Sequence, residues 1–242
     1  MNLEIFDTYE ILSYNVAEQL ISAIIKKTEA LICLAAGDTP KRSYEILAQE
    51  LKARKIDYQK VHFIGLDEWI GISPENPGSC QFFLRQTLLS PLEIKAENIH
   101  LFNAMAEDIH NECEKMDNRI EQLGGIDLIV VGIGMNGHIG FNEPGVSWNK
   151  NSHIANLDEV TQKVGQKYFS TPTHLTQGIT IGLKQLLNAI TALLLANGLK
   201  KASIIKKALA EEMTANIPAS IFQKHANGLV FLDGESSSGL SS

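Results

Sequence analysis

Short apolar, β-branched segments alternate along the chain with longer segments in which apolar residues recur at helical spacing. Buried parallel strands give continuous apolar runs, whereas helices that cover a sheet have one apolar face. The pattern therefore predicts an α/β fold with a doubly wound, mainly parallel sheet and helices on both faces, of Rossmann-like type. The predicted strands cover 31–36, 61–66, 127–132, 178–182, 191–196 and 229–232. The predicted helices cover 7–27, 40–54, 79–90, 106–123, 159–169 and 199–211.

The chain shows no internal repeat and no linker rich in Pro, Gly and Ser that would divide it. Its 242 residues, 44% of them hydrophobic, suffice to bury a core without disulfides or metal. We therefore expect one domain over 1–234. The last residues, 235–242, are small, polar and aperiodic, and they predict a flexible tail.

Charge and cysteine usage narrow the class of protein. A formal net charge of −7 provides no basic footprint for nucleic acid, and no apolar run approaches the length of a membrane span. The N-terminus lacks a secretory signal, and Cys33, Cys80 and Cys113 show neither zinc-ligand nor disulfide spacing. These features predict a cytoplasmic protein with reduced thiols and a small-molecule partner. A homo-oligomer is compatible with the sequence.

Candidate chemistry lies just after the predicted strands, because open α/β sheets bind ligands beyond the carboxyl ends of their strands. In the first such segment, 36–40 (AGDTP), a glycine turn leads into a helix whose free N–H groups can hold a phosphate. A simple tight turn explains this segment equally well. Asp38 would repel a phosphate if its carboxylate pointed inward.

The second segment is 66–69 (LDEW), in which Asp67 and Glu68 are adjacent. Neighbouring residues of an extended chain point in different directions, so we expect only one carboxylate to face a ligand. An Asp in this position is more often a turn or capping residue than a catalytic one.

The third segment is 132–145 (GIGMNGHIGFNEPG), which contains five glycines. The glycines allow tight turns and close approach to a ligand, while His138 and Glu143 offer a proton carrier and a carboxylate partner. A lone loop histidine is usually a surface residue, but here Asp67 and Glu143 accompany it. The glycines superficially suggest a dinucleotide site, yet His and Pro follow them in place of a helix with a distal acidic residue, which disfavours NAD.

These motifs together resemble a known family. LDEW followed by PGSCQFFL, together with GIGMNGHIGFNEPG, resembles the glucosamine-6-phosphate deaminase and galactosamine-6-phosphate isomerase group, over about residues 4–233. Within that group, Trp69, Cys80, GGIDL and QGITIGLKQLLNA look most like the galactosamine-6-phosphate branch. The resemblance implies an enzyme that needs no cofactor and no metal.

The resemblance also implies catalytic roles. His138 would open the sugar ring, Glu143 would orient and tune the imidazole, and Asp67 would carry a proton between C2 and C1. Asn136 stands where many members have an Asp that completes the relay around the histidine. Asn136 can still form hydrogen bonds but adds no negative charge.

For the phosphate group, the resemblance implies a site at the glycine turn, assisted by two lysines. Ala36 and Asp38 replace a hydroxyl residue and a small residue of the family pattern, and Lys167 stands where glucosamine enzymes often have Arg. The segment 159–169 with its preceding loop is expected to form a lid that keeps water away. The residues assigned to substrate or phosphate binding are Ala36, Gly37, Asp38, Thr39, Glu68, Gly137, Lys167 and Lys201.

Two alternatives share the predicted fold. A 6-phosphogluconolactonase would hydrolyse an ester of a sugar phosphate, but its relatives do not usually combine GHIGFNEP with LDEW. A non-catalytic sugar-phosphate sensor would need an attached DNA-binding module, and the residues before 30 predict one helix without a helix-turn-helix pattern. Since little chain follows the last predicted strand, we also expect no allosteric site for an amino sugar.

Overall fold

The computed structural model describes residues 1–240, which form two β-sheets and flanking helices. The strands of this part of the chain are β1 (Asn2–Phe6), β2 (Leu31–Leu34), β3 (His62–Gly65), β4 (Asp67–Trp69), β5 (Ile99–His100), β6 (Leu128–Val131), β7 (His153–Asn156), β8 (Gln177–Thr180), β9 (Thr191–Ala196) and β10 (Gly228–Asp233). The helices of this part are α1 (Tyr9–Lys26), α2 (Asp38–Ala53), α3 (Cys80–Leu84), α4 (Ile109–Gln122), α5 (Glu159–Gly165), α6 (Leu183–Asn188), α7 (Ala202–Leu209) and α8 (Gly234–Ser237).

The main sheet runs in the order β1-β10-β9-β6-β2-β3-β5 among the described residues, and its neighbouring strands pair in parallel. Two large apolar clusters of buried residues lie in the core, one containing Leu31, Ile129 and Leu194 and the other containing Ile32 and Leu193. Adjacent residues of one strand point to opposite faces, so each apolar strand contributes to both clusters. The predicted α/β fold with a mainly parallel sheet is confirmed.

Capping groups fix several element ends. The Thr8 side chain accepts a hydrogen bond from the Ile11 amide, so α1 begins at Tyr9, two residues after the predicted start. Asp108 caps α4 in the same way and places its start at Ile109 instead of 106. The predicted helix 79–90 is the short helix α3 followed by a π-helical turn, Arg85–Leu89.

The sequence pattern did not predict β1. This strand lies at the edge of the main sheet and pairs only with β10 among the described residues, so all five of its residues remain partly or fully exposed. Neither a continuous apolar run nor a clean alternation marks such a strand, which explains why it was missed.

A second, antiparallel sheet has the order β4-β8-β7. The sequence predicted one of its members, at 178–182, but not the short partners on either side. In this sheet Asp67 pairs with Thr180, and Thr180 also accepts a hydrogen bond from the Phe141 amide at 3.2 Å. The small sheet therefore connects the segment after β3 to the loop after β6.

The expectation of a flexible tail from residue 235 is wrong for 235–240. Residues Gly234–Ser237 form α8, which Asp233 caps through a 2.8 Å hydrogen bond from the Ser236 amide. Ser236 is fully buried, and its hydroxyl donates to the Ala196 carbonyl at 2.9 Å. Small hydroxyl residues here satisfy buried backbone groups, although by composition they look like a disordered segment. The last two residues of the predicted tail lie outside the described range.

A search of helix length and hydropathy over residues 1–240 finds no helix that could cross a membrane.

Candidate active site

Three of the loops identified from the sequence lie together at the carboxyl ends of the strands of the main sheet. They follow β2, β3 and β6, and β2 lies between the other two strands. Because these strands are parallel, their carboxyl ends point the same way and bring distant segments of the chain together. The candidate site lies at these strand ends.

Asp67 follows β3, and its carboxyl group is surrounded by protein although part of the residue remains exposed. Burial raises the pKa of its carboxyl group from 3.8 to about 7, and the neighbouring negative charge of Glu68 adds to this effect. A hydrogen bond with the Cys80 thiol acts in the opposite direction and lowers the pKa. Asp67 can therefore exist in both protonation states near neutral pH, as a general acid and base requires.

Glu68 does not face the site, so the sequence-based assignment of this residue to substrate binding is wrong. It is fully buried, and its carboxylate accepts hydrogen bonds from the Ser79 hydroxyl and from the Cys80 and Gln81 amides at 2.8–3.0 Å. Its pKa is raised because burial outweighs these hydrogen bonds. Glu68 anchors the start of α3, which places Cys80 beside Asp67.

His138 lies in the glycine-rich loop with its Nδ1 atom facing two partners. Nδ1 is 2.9 Å from the Thr161 hydroxyl and 3.5 Å from Glu143 Oε2. These contacts engage Nδ1 and leave Nε2 as the ring nitrogen that can transfer a proton to or from a substrate. The sequence predicted the pairing of His138 with Glu143 but not the contact with Thr161, which no local motif marks.

Glu143 is nearly buried, and it is held from several directions. The Asn136 amide donates to its Oε2 at 2.8 Å, and the Asp158 backbone amide donates to its Oε1 at 3.3 Å. Burial alone would raise the pKa of Glu143, but hydrogen bonds and the charge of His138 outweigh it, so the pKa is lowered. Asn136 also accepts from the His138 amide at 3.2 Å, and it positions both members of the pair without touching the imidazole nitrogens.

Gly134 lies directly beneath the His138 ring. A Cβ atom on Gly134 would be 2.3 Å from Nε2, far closer than van der Waals contact allows. Gly137, also assigned to the site from sequence, has φ +88°, which favours glycine, and its carbonyl accepts from the Ala219 amide. These glycines allow the loop to fold tightly around the histidine.

The predicted phosphate turn opens α2, with Gly37 at φ +124° as the residue before the helix. Ala36 and Thr39 flank it and are partly exposed, and α2 presents its free N–H groups at this end. Asp38 is in the first turn of α2, and its carboxylate forms a 2.6 Å ion pair with Lys167. A lysine from a distant segment therefore balances the charge of Asp38 beside the turn.

Lys201 approaches the same site from the turn before α7. Its Nζ donates to the Ile133 carbonyl at 2.6 Å, at the start of the glycine-rich loop. Burial, followed by the positive charge of Lys167, lowers the pKa of Lys201 to about 8. The assignment of both lysines to phosphate binding stays a prediction.

The predicted lid packs against the site. Its helical part is α5 with the 3-10 turn Gln166–Tyr168, and a Cβ atom on Gly165 would be 2.6 Å from the Trp69 ring. Thr161, which contacts His138, is on α5. The Tyr168 hydroxyl lies 3.3 Å from the Cβ position of Gly37, so the segment spans from the histidine to the phosphate turn.

Within residues 1–240, no group of three or more His, Cys, Asp or Glu side chains is arranged to hold a metal ion. The chemistry that these residues offer is proton transfer, by one carboxyl group titrating near neutrality and one histidine with a carboxylate partner. Fold and site define a class: mainly parallel α/β proteins with a candidate acid-base site beyond the strand ends.

Comparison with known proteins identifies the family. The model of the glucosamine-6-phosphate isomerases/6-phosphogluconolactonase family matches residues 7–231, and the chain belongs to this family. The glucosamine-6-phosphate deaminase of Clostridium botulinum is 37% identical over 241 residues, 99% of each chain. That of Thermoanaerobacter pseudethanolicus is 36% identical over 239 residues, 98% of this chain and 94% of the relative.

Solved structures agree with this assignment. A monomeric glucosamine-6-phosphate deaminase superposes with a TM-score of 0.95 at 31% identity, covering 99% of this chain and 100% of the other. The 6-phosphogluconolactonase of Trypanosoma brucei has a TM-score of 0.81 at 18% identity, covering 99% and 98%, and shares the fold.

Proposed function

We propose that this protein is an amino-sugar-phosphate isomerase that releases ammonia. It would convert a 2-amino-2-deoxyhexose 6-phosphate and water to a ketohexose 6-phosphate and ammonia. The observation that carries the proposal is the Asp67 carboxyl group, whose pKa of about 7 suits proton transfer, at the strand edge that also holds the His138–Glu143 pair.

Ring opening is the step assigned to His138. Its Nδ1 is engaged by Thr161 and Glu143, so Nε2 is the atom that exchanges a proton with the ring oxygen. Glu143, with a lowered pKa, stays ionised at neutral pH and stabilises the imidazolium that forms when the ring nitrogen accepts a proton. Asn136 keeps Glu143 in place.

Isomerisation is the step assigned to Asp67. Its carboxylate takes the proton from C2 of the open chain and returns it to C1, since one group on one face of a cis-enediol-type intermediate reaches both carbons. The nitrogen at C2 then leaves as ammonia after water adds to that carbon. Each transfer moves a proton within the site, and α5 with its flanking turn would exclude bulk water.

Two lysines and the start of α2 support a phosphate ester as the anchoring group. Lys167 pairs with Asp38 at the start of α2, and the charge of Lys167 acts on Lys201, so the lysines and the free amides of α2 can together serve a phosphate. The relatives at 36–37% identity are named glucosamine-6-phosphate deaminases, whereas the lactonase neighbour is 18% identical. Both observations favour the deaminating isomerase over the lactonase.

Of the two C4 epimers, we propose galactosamine 6-phosphate as the preferred substrate and glucosamine 6-phosphate as the second. Trp69 and Cys80 carry this proposal, as in the galactosamine branch. Trp69 is 5% exposed and packs on Phe141 at 4.5 Å between ring centroids, so it would act by shaping the wall near Asp67. The names of the curated relatives favour the other epimer, which makes this the sharpest point to test.

The test is ammonia release from the purified protein given each epimer, with 6-phosphogluconolactone hydrolysis measured in parallel. We expect turnover of the amino sugars, faster for the galacto epimer, and its loss in Asp67→Asn while the sugar phosphate still binds. Faster turnover of the gluco epimer would keep the mechanism and reverse the epimer preference. Binding without turnover would favour the sensor, and lactone hydrolysis alone would favour the lactonase.

A further inference from the structure

The ion pair between Asp38 and Lys167 joins two segments that are 129 positions apart. Asp38 is the first residue of α2, and Lys167 belongs to the turn after α5. Their charged atoms are 2.6 Å apart, although the side chains remain 74% and 49% exposed. Lys167 Nζ also lies 4.7 Å from the centroid of the Tyr168 ring, and the Tyr168 hydroxyl lies 3.3 Å from the Cβ position of Gly37.

Both partners of this ion pair belong to the proposed phosphate pocket. A carboxylate in the first turn of a helix interacts favourably with the helix dipole, as a phosphate does. The pKa of Lys167 is raised, because its hydrogen bond with Asp38 and the nearby Tyr168 together outweigh the lowering effect of burial. Asp38 thus already supplies Lys167 with the negative charge that a bound phosphate would otherwise supply.

A phosphate dianion cannot share this pocket with the Asp38 carboxylate without repulsion. Exposed ion pairs contribute little to stability, so separating Asp38 from Lys167 costs little in the free protein. Lys201, by contrast, is partly buried and has only a backbone carbonyl as hydrogen-bond partner among the described residues. Lys167 therefore has a carboxylate partner that can be displaced, whereas Lys201 has no carboxylate partner among the described residues.

We propose that Asp38 is a built-in counter-ion that holds Lys167 at the proposed phosphate pocket and is displaced when the phosphate of the substrate binds. The inference rests on the proposed function and adds to it a residue that tunes specificity. With Asp38 in place, weakly bound anions gain less from Lys167. A phosphate attached to a sugar that also contacts the rest of the site can displace the carboxylate.

The experiment measures inorganic phosphate binding by calorimetry at low ionic strength, together with KM for the amino sugar phosphate. Asp38→Asn removes the charge, and Asp38→Ser does so with a second side chain that suits a helix start. We expect both variants to bind inorganic phosphate about two- to fivefold more tightly, because exposed ion pairs contribute free energies of this size. Both variants should also have a lower KM for the amino sugar phosphate. Lys167→Met should weaken phosphate binding.

The control for net charge is Glu45→Gln. Glu45 is also on α2 and forms an exposed ion pair with Arg42, so this variant changes the charge equally, away from the pocket. If phosphate affinity in Asp38→Asn and Asp38→Ser is unchanged or weaker, or rises equally in Glu45→Gln, the counter-ion role is wrong.

The outcome separates the inference from the function. Turnover of an amino sugar phosphate with no gain in Asp38→Asn would overturn the counter-ion role and keep the proposed function. Tighter phosphate binding in both Asp38 variants without turnover of any amino sugar phosphate would support the counter-ion role of Asp38 and contradict the proposed isomerase function. Absence of phosphate binding in the unmodified protein would overturn the inference.

Discussion

At the scale of single residues, the environment of Asp67 sets its chemistry. The same carboxyl group on an exposed loop would stay ionised throughout the neutral range. Burial and the neighbouring Glu68 raise its pKa to about 7, while the Cys80 thiol opposes them. Three features therefore determine the pH range in which Asp67 can act as a base.

Replacing Cys80 tests this balance. Cys80→Ala removes the thiol hydrogen bond that lowers the pKa of Asp67, so that pKa should rise. The acidic limb of kcat/KM against pH should move to higher pH, with a severalfold loss of activity at pH 6.5. Cys80→Ser keeps a hydrogen-bond donor and is the matched control. Profiles of the two variants that coincide would show that the thiol has no such role.

Asp67 also has a predictable effect on stability. Its pKa is raised in the folded state, so its favourable contribution is complete below about pH 4 and is lost as pH rises through about 7. Asp67→Asn should therefore stabilise the protein more at pH 8 than at pH 5, by about 1–3 kcal/mol, because one pKa unit corresponds to about 1.4 kcal/mol.

Urea unfolding at the two pH values measures this difference. Glu97→Gln, at an exposed carboxyl group, serves as the comparison. An equal stability gain at pH 5 and pH 8 would show that the carboxyl of Asp67 titrates at its ordinary pKa.

At the scale of elements, the loop after β6 owes its shape to glycine. Gly134→Ala would place a methyl group where the His138 ring lies, because its Cβ would be 2.3 Å from Nε2. We expect the ring to shift and kcat/KM to fall about 100-fold, since small displacements of catalytic groups have effects of this size.

Gly132→Ala is the matched control in the same loop. A Cβ atom there would have no heavy atom within 4 Å, so activity should stay within a few-fold of the unmodified protein. Ammonia release at saturating and limiting substrate separates the effects on kcat and KM. Equal losses in both variants would mean that the loop tolerates no side chain at all, and the specific contact with His138 would then explain nothing.

Elements with a strong apolar pattern were predictable from sequence. The strand at 191–196 has the predicted bounds, and its core residues are buried. The small sheet was only partly predictable, because β4 has three residues and exists through pairing with a strand more than 100 positions away. Glu68 shows the same limit: its burial depends on the position of α3, which no local pattern reveals.

At the scale of the whole molecule, a histidine pair connects β3 with β5, the outermost strand on one side of the main sheet. His62 on β3 and His100 on β5 approach to 3.2 Å between ring nitrogens. The pKa of His100 is lowered to about 4 by burial, by the charge of Arg119 and by His62, and the pKa of His62 is lowered for similar reasons, partly opposed by Glu29. Two positive charges at this distance would repel each other.

This pair should make the fold sensitive to acid. A lowered pKa means that the unfolded state binds more protons between about pH 6.5 and 4, so the contribution of the pair is complete above that window and falls with decreasing pH. His100→Gln should reduce the loss of stability between pH 7 and pH 4.5 by about 2 kcal/mol, discounted for partial exposure. Denaturant midpoints measure it, and exposed His110→Gln is the control. If His100→Gln lost as much stability between pH 7 and pH 4.5 as the unmodified protein, the histidine pair would not be the cause of the acid sensitivity.

Assembly and location are properties of the whole molecule that stay predictions. A solved relative is described as monomeric, while a homo-oligomer of this chain is compatible with the sequence. Light scattering of the purified protein would decide between them.

The sequence by itself determined the α/β class, the strand ends as the place of the candidate site, and the pairing of His138 with Glu143. Apolar periodicity and short motifs are local properties, and local properties are readable from one chain. Only the tertiary structure decided that Glu68 turns into the core, that Asp38 meets Lys167, and that Thr161 reaches the histidine. Those contacts join residues far apart in the chain, and their partners are set by how the sheets and helices pack.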